Sequence, residues 1–192
     1  MNSVVEAIRE IVLNHCEQHK KNEKFGFYDY WNDHIKRVVH HTAVLAKEYG
    51  ADEEIAALAA LLHDVSMPAE FGDRGEHHRF SAKMTETLLG GLRYPPDRIQ
   101  RVRDCVFNHP NSNRHLRTTI EETCIADADA LAHFDRIPSL FSLAYRILGM
   151  GLDEGREYVK ERLYGDLWCL SERTKEVYGQ KLKGFLESLF VD

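Results

Sequence analysis

The stretch IAALAALLHDV, residues 55–65, decides the fold: eight apolar residues, four of them alanine, end in two titratable side chains, His63 and Asp64. Ala56, Ala59, Ala60 and His63 recur at i, i+3, i+4 and i+7, the spacing of one helix face. Small residues on that face let a neighbouring helix approach closely, so the segment is a buried helix and His63 points inward. A lone buried histidine is commonly satisfied by a nearby carboxylate or carbonyl. The other helices decide whether His63 is more than that.

Working outward, further segments turn a polar group to the interior. His34 shares a helix face with Val38, His41 and Leu45. Farther along, His77 aligns with Phe80, Met84 and Leu88, whereas His78 aligns with Ser81, Ala82, Thr85 and Leu89. The first set is more apolar, which makes His77 the better inward candidate. Ile99, Val102, Val106 and His109 form another stripe, with the histidine at its C-terminal end. In ADADAL, Asp127 and Asp129 are two positions apart and roughly 200° apart around a helix axis, so only one of them reaches a shared site.

Five helices therefore send a His or Asp inward, and burying that many without compensation is costly. A bound cation removes most of the cost. Neutral imidazoles and carboxylates are ligands for Mn, Fe, Co, Ni and Zn, and Asp64 can bridge two ions while His63 binds one. No short-range ligand pair such as HExxH is present.

The rest of the chain is consistent with a soluble all-α protein. Its 192 residues suffice for one well-buried core, and no composition break argues for a second domain, so residues 1–192 are expected to form a single domain of eight or nine helices. With 43% hydrophobic and 29% charged residues and no long apolar run, no membrane association is expected. A net charge of -6 argues against a surface for nucleic-acid polymers. The four cysteines, Cys16, Cys105, Cys124 and Cys169, form no CxxC pair, which fits reduced thiols in the cytoplasm. Eleven histidines are a surplus that needs a cause. The N-terminus MNSVVEAIREIVLNHC lacks the basic and apolar blocks of a secretory signal and is expected to be a first helix to about residue 20, capped by Asn2 or Ser3.

A second helix follows the aromatic segment KFGFYDYW over residues 29–49 and closes at Gly50. Asp52 caps the third. After the loop SMPAEFGDRGE, a fourth helix over residues 76–89 is expected to end at the Gly pair, and PPDRIQRVRDCVFNH makes a fifth. The loop PNSNRHLRTT leads to a sixth over IEETCIADADALAHF. Residues 138–190 are expected to complete the bundle: Pro138 opens a helix, Asp153 caps the next, and Ser171 caps the last. The charge runs DEGREYVKER and SERTKE are expected to be solvated faces, as are His15, His19 and His40, with His41 and His133 in the core or beside the ligands; the aromatics of FGFYDYW are expected in the core.

The order His34, then LLHD with His63 and Asp64, then ADADAL with Asp129, resembles the HD-domain superfamily of metal-dependent phosphohydrolases, whose signature is H…HD…D on an all-α fold. HIKRVVHHTAVLAKEYGADEEIAALAALLHDV looks like that family's opening motif, including the HxxRV after the first histidine. The similarity runs over residues 29–134. It implies that His34, His63, Asp64 and Asp129 are ligands of a divalent transition metal, with Asp129 favoured over Asp127. His77 and His109 resemble the two added histidines of the H…HD…H…H…D subset, which holds two ions.

The activity so implied is hydrolysis, of the phosphatase or phosphodiesterase type, of a nucleotide or another small phosphate ester. Two ions about 3.5–4 Å apart activate a water and hold a phosphoryl oxygen. His63, Asp64 and Arg37 are the candidate catalytic residues, and Arg37, Arg74, His78, Arg79 and Arg114 the candidate substrate contacts, with Asn111 and His115 beside them. Asp127 is expected either to orient a ligand histidine or to lie at the surface. Two alternatives stand: a di-iron oxygenase on the same fold, and a non-catalytic module that binds a metal or ligand. A homo-oligomer is compatible with either activity.

Overall fold

Helix ends follow their capping residues. The computed structural model describes residues 3–23 and 26–191, and among these no strand occurs, so the fold is all-α. The helices are α1 (Ser3–His19), α2 (Lys36–Tyr49), α3 (Glu53–Leu62), α4 (His77–Gly91), α5 (Pro96–Asn108), α6 (Ile120–Asp135), α7 (Ile137–Ser142), α8 (Leu152–Cys169), α9 (Glu172–Thr174) and α10 (Gln180–Leu189). Three π-helical turns extend them: Trp31–Ile35 opens α2, Leu143–Ile147 prolongs α7, and Lys175–Gly179 joins α9 to α10. Short 3-10 turns span Arg74–Glu76 and Asn111–Leu116.

Gly50, at φ +71°, ends α2 in the left-handed conformation that only glycine adopts without strain. The Asp52 side chain accepts the Ile55 N–H at 3.2 Å and starts α3. Thr119 and Glu122 form a reciprocal capping box on α6. Ser171 caps α9 as expected, its hydroxyl accepting the Thr174 N–H.

Two expected boundaries move. Helix α4 continues through Gly90 and Gly91 and stops only at Leu92, before Arg93 at φ +56°. Glycine in a helix interior costs about 1 kcal/mol against alanine, which tertiary packing overrides. Helix α8 is preceded by Gly151, and Asp153 lies in its first turn, where the carboxylate complements the helix dipole. Asn2, Lys24 and Phe25 lie outside the described residues, so the Asn2 cap and part of KFGFYDYW are not among the features below.

Helix α3 is the centre of the bundle. Ile55, Ala56, Leu58, Ala59, Ala60, Leu61 and Leu62 are all buried, and the helix packs against α1, α2, α5 and α6. From Ile55 onward only Ala57 of this helix is not buried, so that stretch has almost no solvent face. Its C-terminal end, with His63 and Asp64, is thus delivered into the middle of the molecule. Beyond this core, Ile137, Leu140, Ala144, Val159, Leu163 and Leu186 form a second, smaller cluster. No helix among the described residues is long and apolar enough to cross a membrane.

Candidate metal centre

Six of the polar groups expected to point inward meet at the end of α3. His34 sits in the π-helical turn before α2, His63 directly follows α3, His77 is the first residue of α4, His109 follows α5, and Asp129 lies within α6. Three of the rings are fixed by backbone carbonyls. The Nδ1–H of His63 donates to Ala60 O at 2.9 Å, that of His77 to Arg74 O at 3.0 Å, and that of His109 to Val106 O at 2.6 Å. Each of these rings therefore presents a lone pair at Nε2; the tautomers follow from the carbonyl partners.

The Nε2 atoms face one another. His34 and His63 approach to 3.0 Å, and His77 and His109 to 3.3 Å. In the second pair both Nδ1 protons are already committed, so the contact joins two lone pairs. Asp64 stands between the pairs: Oδ2 lies 3.5 Å from His34 Nε2 and 3.6 Å from His63 Nε2, while Oδ1 lies 3.3 Å from His77 Nε2 and 3.7 Å from His109 Nε2. Oδ1 is buried and accepts no hydrogen bond among the described residues. Asp129 Oδ1 completes the first side, 3.1 Å from His34 Nε2 and 4.0 Å from His63 Nε2.

Electrostatics keep His63, His109, Asp64 and Asp129 in the form that binds a cation. Burial pushes His109 down to about 3, helped by the neighbouring His63, and burial also lowers His63, so both stay neutral. Burial would raise Asp64, but the imidazoles of His63, His77, His34 and His109 hold its pKa below the usual carboxylate range. Asp129 is likewise held low against burial by His133, His34 and His63. Burial opposes protonation of His34, yet Asp129 and Asp64 outweigh it and raise its pKa. Three sets of donor atoms lie within 4.8 Å of one another and could hold a metal ion: His34, His63 and Asp64; Asp64, His77 and His109; and His34, Asp129 and His133. An orphaned carboxylate oxygen between facing lone pairs fits a divalent cation on either side of Asp64.

The cluster opens into a cavity of about 440 Å³. Of the expected substrate contacts, Arg74 and Asn111 line it. Arg37, His78, Arg79 and Arg114 do not. His78 is buried against Phe107, on the inward face of α4 with Ser81, Ala82, Thr85 and Leu89. Arg79 pairs with Glu76 at the surface, and Arg114 and His115 are exposed. Arg37 lies partly buried on α2, away from the cavity lining.

Asp127 is neither a surface residue nor a partner of the histidines. It is buried, and its carboxylate accepts the N–H and hydroxyl of Ser171 and, at 2.6 Å, the hydroxyl of Thr174. The two aspartates of ADADAL thus face opposite ways, Asp129 to the cluster and Asp127 to the start of α9. His19, expected at the surface, is buried between Tyr30 and Glu70.

Several lining residues were expected elsewhere. Tyr28 and Tyr30 come from the aromatic segment, and Tyr158 and Arg162 from the run DEGREYVKER, taken as solvated. Behind them, buried Asp166 accepts from His133 Nδ1 at 2.9 Å, Asn111 Nδ2 at 3.0 Å and Arg162 Nε at 3.3 Å. A signal existed: Asp166 falls at i+7 from Val159 and i+3 from Leu163, both fully buried, so an acidic residue stands on an apolar stripe.

The family model of the HD domain matches residues 32–133, from just before His34 to four residues past Asp129. The chain belongs to the HD domain family. The match takes in all six clustered residues of this HD protein and stops short of α8. Among solved structures, a predicted HD superfamily hydrolase from an uncultured Thermotogales bacterium aligns over 94% of the HD chain and 92% of its own, with a TM-score of 0.54 and 19% identity. At that identity the likeness concerns the fold. No curated protein matches this HD chain significantly.

Proposed function

We propose that this protein is a metal-dependent phosphohydrolase acting on a nucleotide or another small phosphate ester. The observation that carries the metal dependence is the position of Asp64, with one carboxylate oxygen toward His34 and His63 and the other toward His77 and His109. His34, His63, Asp64 and Asp129 would hold one ion, and Asp64, His77 and His109 a second. When bound, divalent ions supply Lewis acidity, lowering the pKa of a water and withdrawing charge from a phosphoryl oxygen. HD family membership and the hydrolase name of the structural neighbour support hydrolysis.

The chain's own groups do the rest. Three carbonyl-anchored imidazoles hold their Nε2 atoms in place without reorganisation, as second partners of metal-binding histidines generally do. Asp64 and Asp129, kept ionised, supply negative charge. Arg74 brings a guanidinium to the cavity wall, which suits an anionic substrate, and the apolar residues Leu140, Leu143, Ile147 and Leu148 shield one side from water.

The test is a phosphoester panel of nucleotides, sugar phosphates and aryl phosphates, run on protein loaded in turn with Mn, Fe, Co, Ni or Zn. Hydrolysis that disappears in His63→Ala and Asp64→Ala supports the reading. Turnover unaffected by both changes overturns it, as does oxygen consumption by the iron-loaded protein with no phosphoester cleaved.

A further inference from the structure

Helix α8 lies outside the segment matched to the HD domain, yet it reaches the same cavity. Asp166 on α8 is 1% exposed, a position where an ionised carboxylate is costly without partners. It has three, from three elements: His133 on α6, Asn111 in the turn after α5, and Arg162 one turn earlier on α8. All three line the cavity. The buried carboxylate is thus a hub that fixes three polar side chains on one wall.

Arg162 is the member of the trio with donors to spare. A guanidinium carries five N–H groups in a rigid fork. The Nε–H is used by Asp166; Nη2 reaches only to His133 Nε2, at 3.5 Å, and Nη1 makes no hydrogen bond among the described residues. The side chain is 43% exposed while lining the cavity, so its outer edge is open to a ligand. His133 ties this wall to the cluster, its ring stacked on His34 at 5.2 Å and its Nε2 3.8 Å from Asp129 Oδ1. A tetrahedral oxyanion held against the cluster would therefore meet Arg162 on its α8 side.

We propose that Arg162 is a substrate-binding residue for the phosphoryl group and that Asp166 is a positioning residue that aims it. This rests on the phosphoester reading above for the identity of the anion. Its geometry depends only on the cavity wall. The ligand class is a phosphate monoester or its orthophosphate product, whose non-reacting oxygens accept paired N–H donors from the guanidinium fork.

The probe is inorganic phosphate, titrated calorimetrically into the metal-loaded protein and followed as product inhibition where turnover occurs. Arg162→Gln is expected to weaken phosphate binding about 10- to 100-fold, and Arg162→Lys to recover part of the loss. Lys160→Gln, on the same helix and outside the cavity, should bind as wild type. Asp166→Asn should weaken binding and raise KM more than it lowers kcat. If Asp166 acts through Arg162, adding Asp166→Asn to Arg162→Gln causes little further loss.

Because Asp166 is buried, thermal melting of each variant accompanies the titrations, and Arg162→Gln, at the rim, carries the test if Asp166→Asn unfolds. Phosphate affinity unchanged in Arg162→Gln overturns the proposal, as does full additivity of the two changes. Phosphate binding that depends on Arg162 in a protein that cleaves no phosphoester would uphold the site and defeat the phosphohydrolase reading. Cleavage that does not depend on Arg162 would do the reverse.

Discussion

The Nε2 atoms of His77 and His109 stand 3.3 Å apart although both Nδ1–H groups are already donated to backbone carbonyls, of Arg74 and Val106. Two lone pairs at that separation repel unless a cation lies between or beside them. His77 serves only one side of Asp64, the side of Oδ1. His77→Ala should therefore lower the metal content from about two equivalents per chain to about one. Elemental analysis of the purified variant checks this. An unchanged ratio would mean that His77 holds no metal.

The two aspartates of ADADAL should separate stability from metal binding. Asp127 accepts from two hydroxyls and one backbone N–H at the start of α9, so Asp127→Ala removes the shared acceptor of three partly or fully buried donors. We expect a loss of about 1–3 kcal/mol in unfolding free energy with metal content retained. Asp129→Asn should reduce metal content and cost less stability in the metal-free protein. Denaturant unfolding paired with metal analysis distinguishes the two. The opposite pattern would exchange their roles.

How far the site was legible from the sequence is best seen at His77. The resemblance named it and the structure brings it to the cluster, but not along the helix face that periodicity assigns to it. The inward face of α4 is that of His78, with Ser81, Ala82, Thr85 and Leu89. His77 reaches the cluster because it is the first residue of the helix, where a side chain tilts back toward the N-terminus and past the helix end. Periodicity describes a helix flank and has nothing to say about its end. His63 and His109, at the ends of the apolar stripes of α3 and α5, were readable that way; periodicity left Asp127 and Asp129 open, and only the resemblance favoured Asp129. The α8 wall was not, because Arg162 and Tyr158 sit in a charge run resembling a solvated surface, and only the tertiary packing of α6, α7 and α8 turns that run toward a cavity. Asp127 was missed because its partners, Ser171 and Thr174, are far along the chain.

In the metal-free protein, acid should weaken the fold before carboxylates titrate. Burial, with His63 beside it, lowers His109 from its usual 6.5 to about 3, and burial lowers His63 in the same direction. Between those values the unfolded chain binds a proton that the folded one excludes, so stability rises with pH. It is complete above about pH 6.5 and falls as pH drops toward about 3. His34, whose pKa is raised, works the other way, and two lowered groups oppose it. Melting temperatures of the chelated protein should fall steadily from about pH 7 to about pH 5. A flat profile over that interval would count against neutral, buried imidazoles at His63 and His109.

Arg117 should act as a support for His109 without touching the cavity. Its guanidinium donates to three consecutive carbonyls at the end of α5: Nε to Asn108 O at 2.9 Å, and Nη2 to His109 O at 2.6 Å and Pro110 O at 2.8 Å. A helix end leaves such carbonyls without partners, and a cation there also complements the helix dipole. Arg117→Ala removes all of these donors at once, so the turn that carries His109 should loosen. We expect a loss of about 1–3 kcal/mol in stability, faster amide exchange over residues 106–113, and weaker metal binding on the His77 side of Asp64 only. Arg117→Lys, a point charge without the fork, should recover the dipole contribution and little of the carbonyl anchoring. Metal affinity unchanged in Arg117→Ala, with exchange unaltered around His109, would show that α5 holds the histidine in place by packing alone.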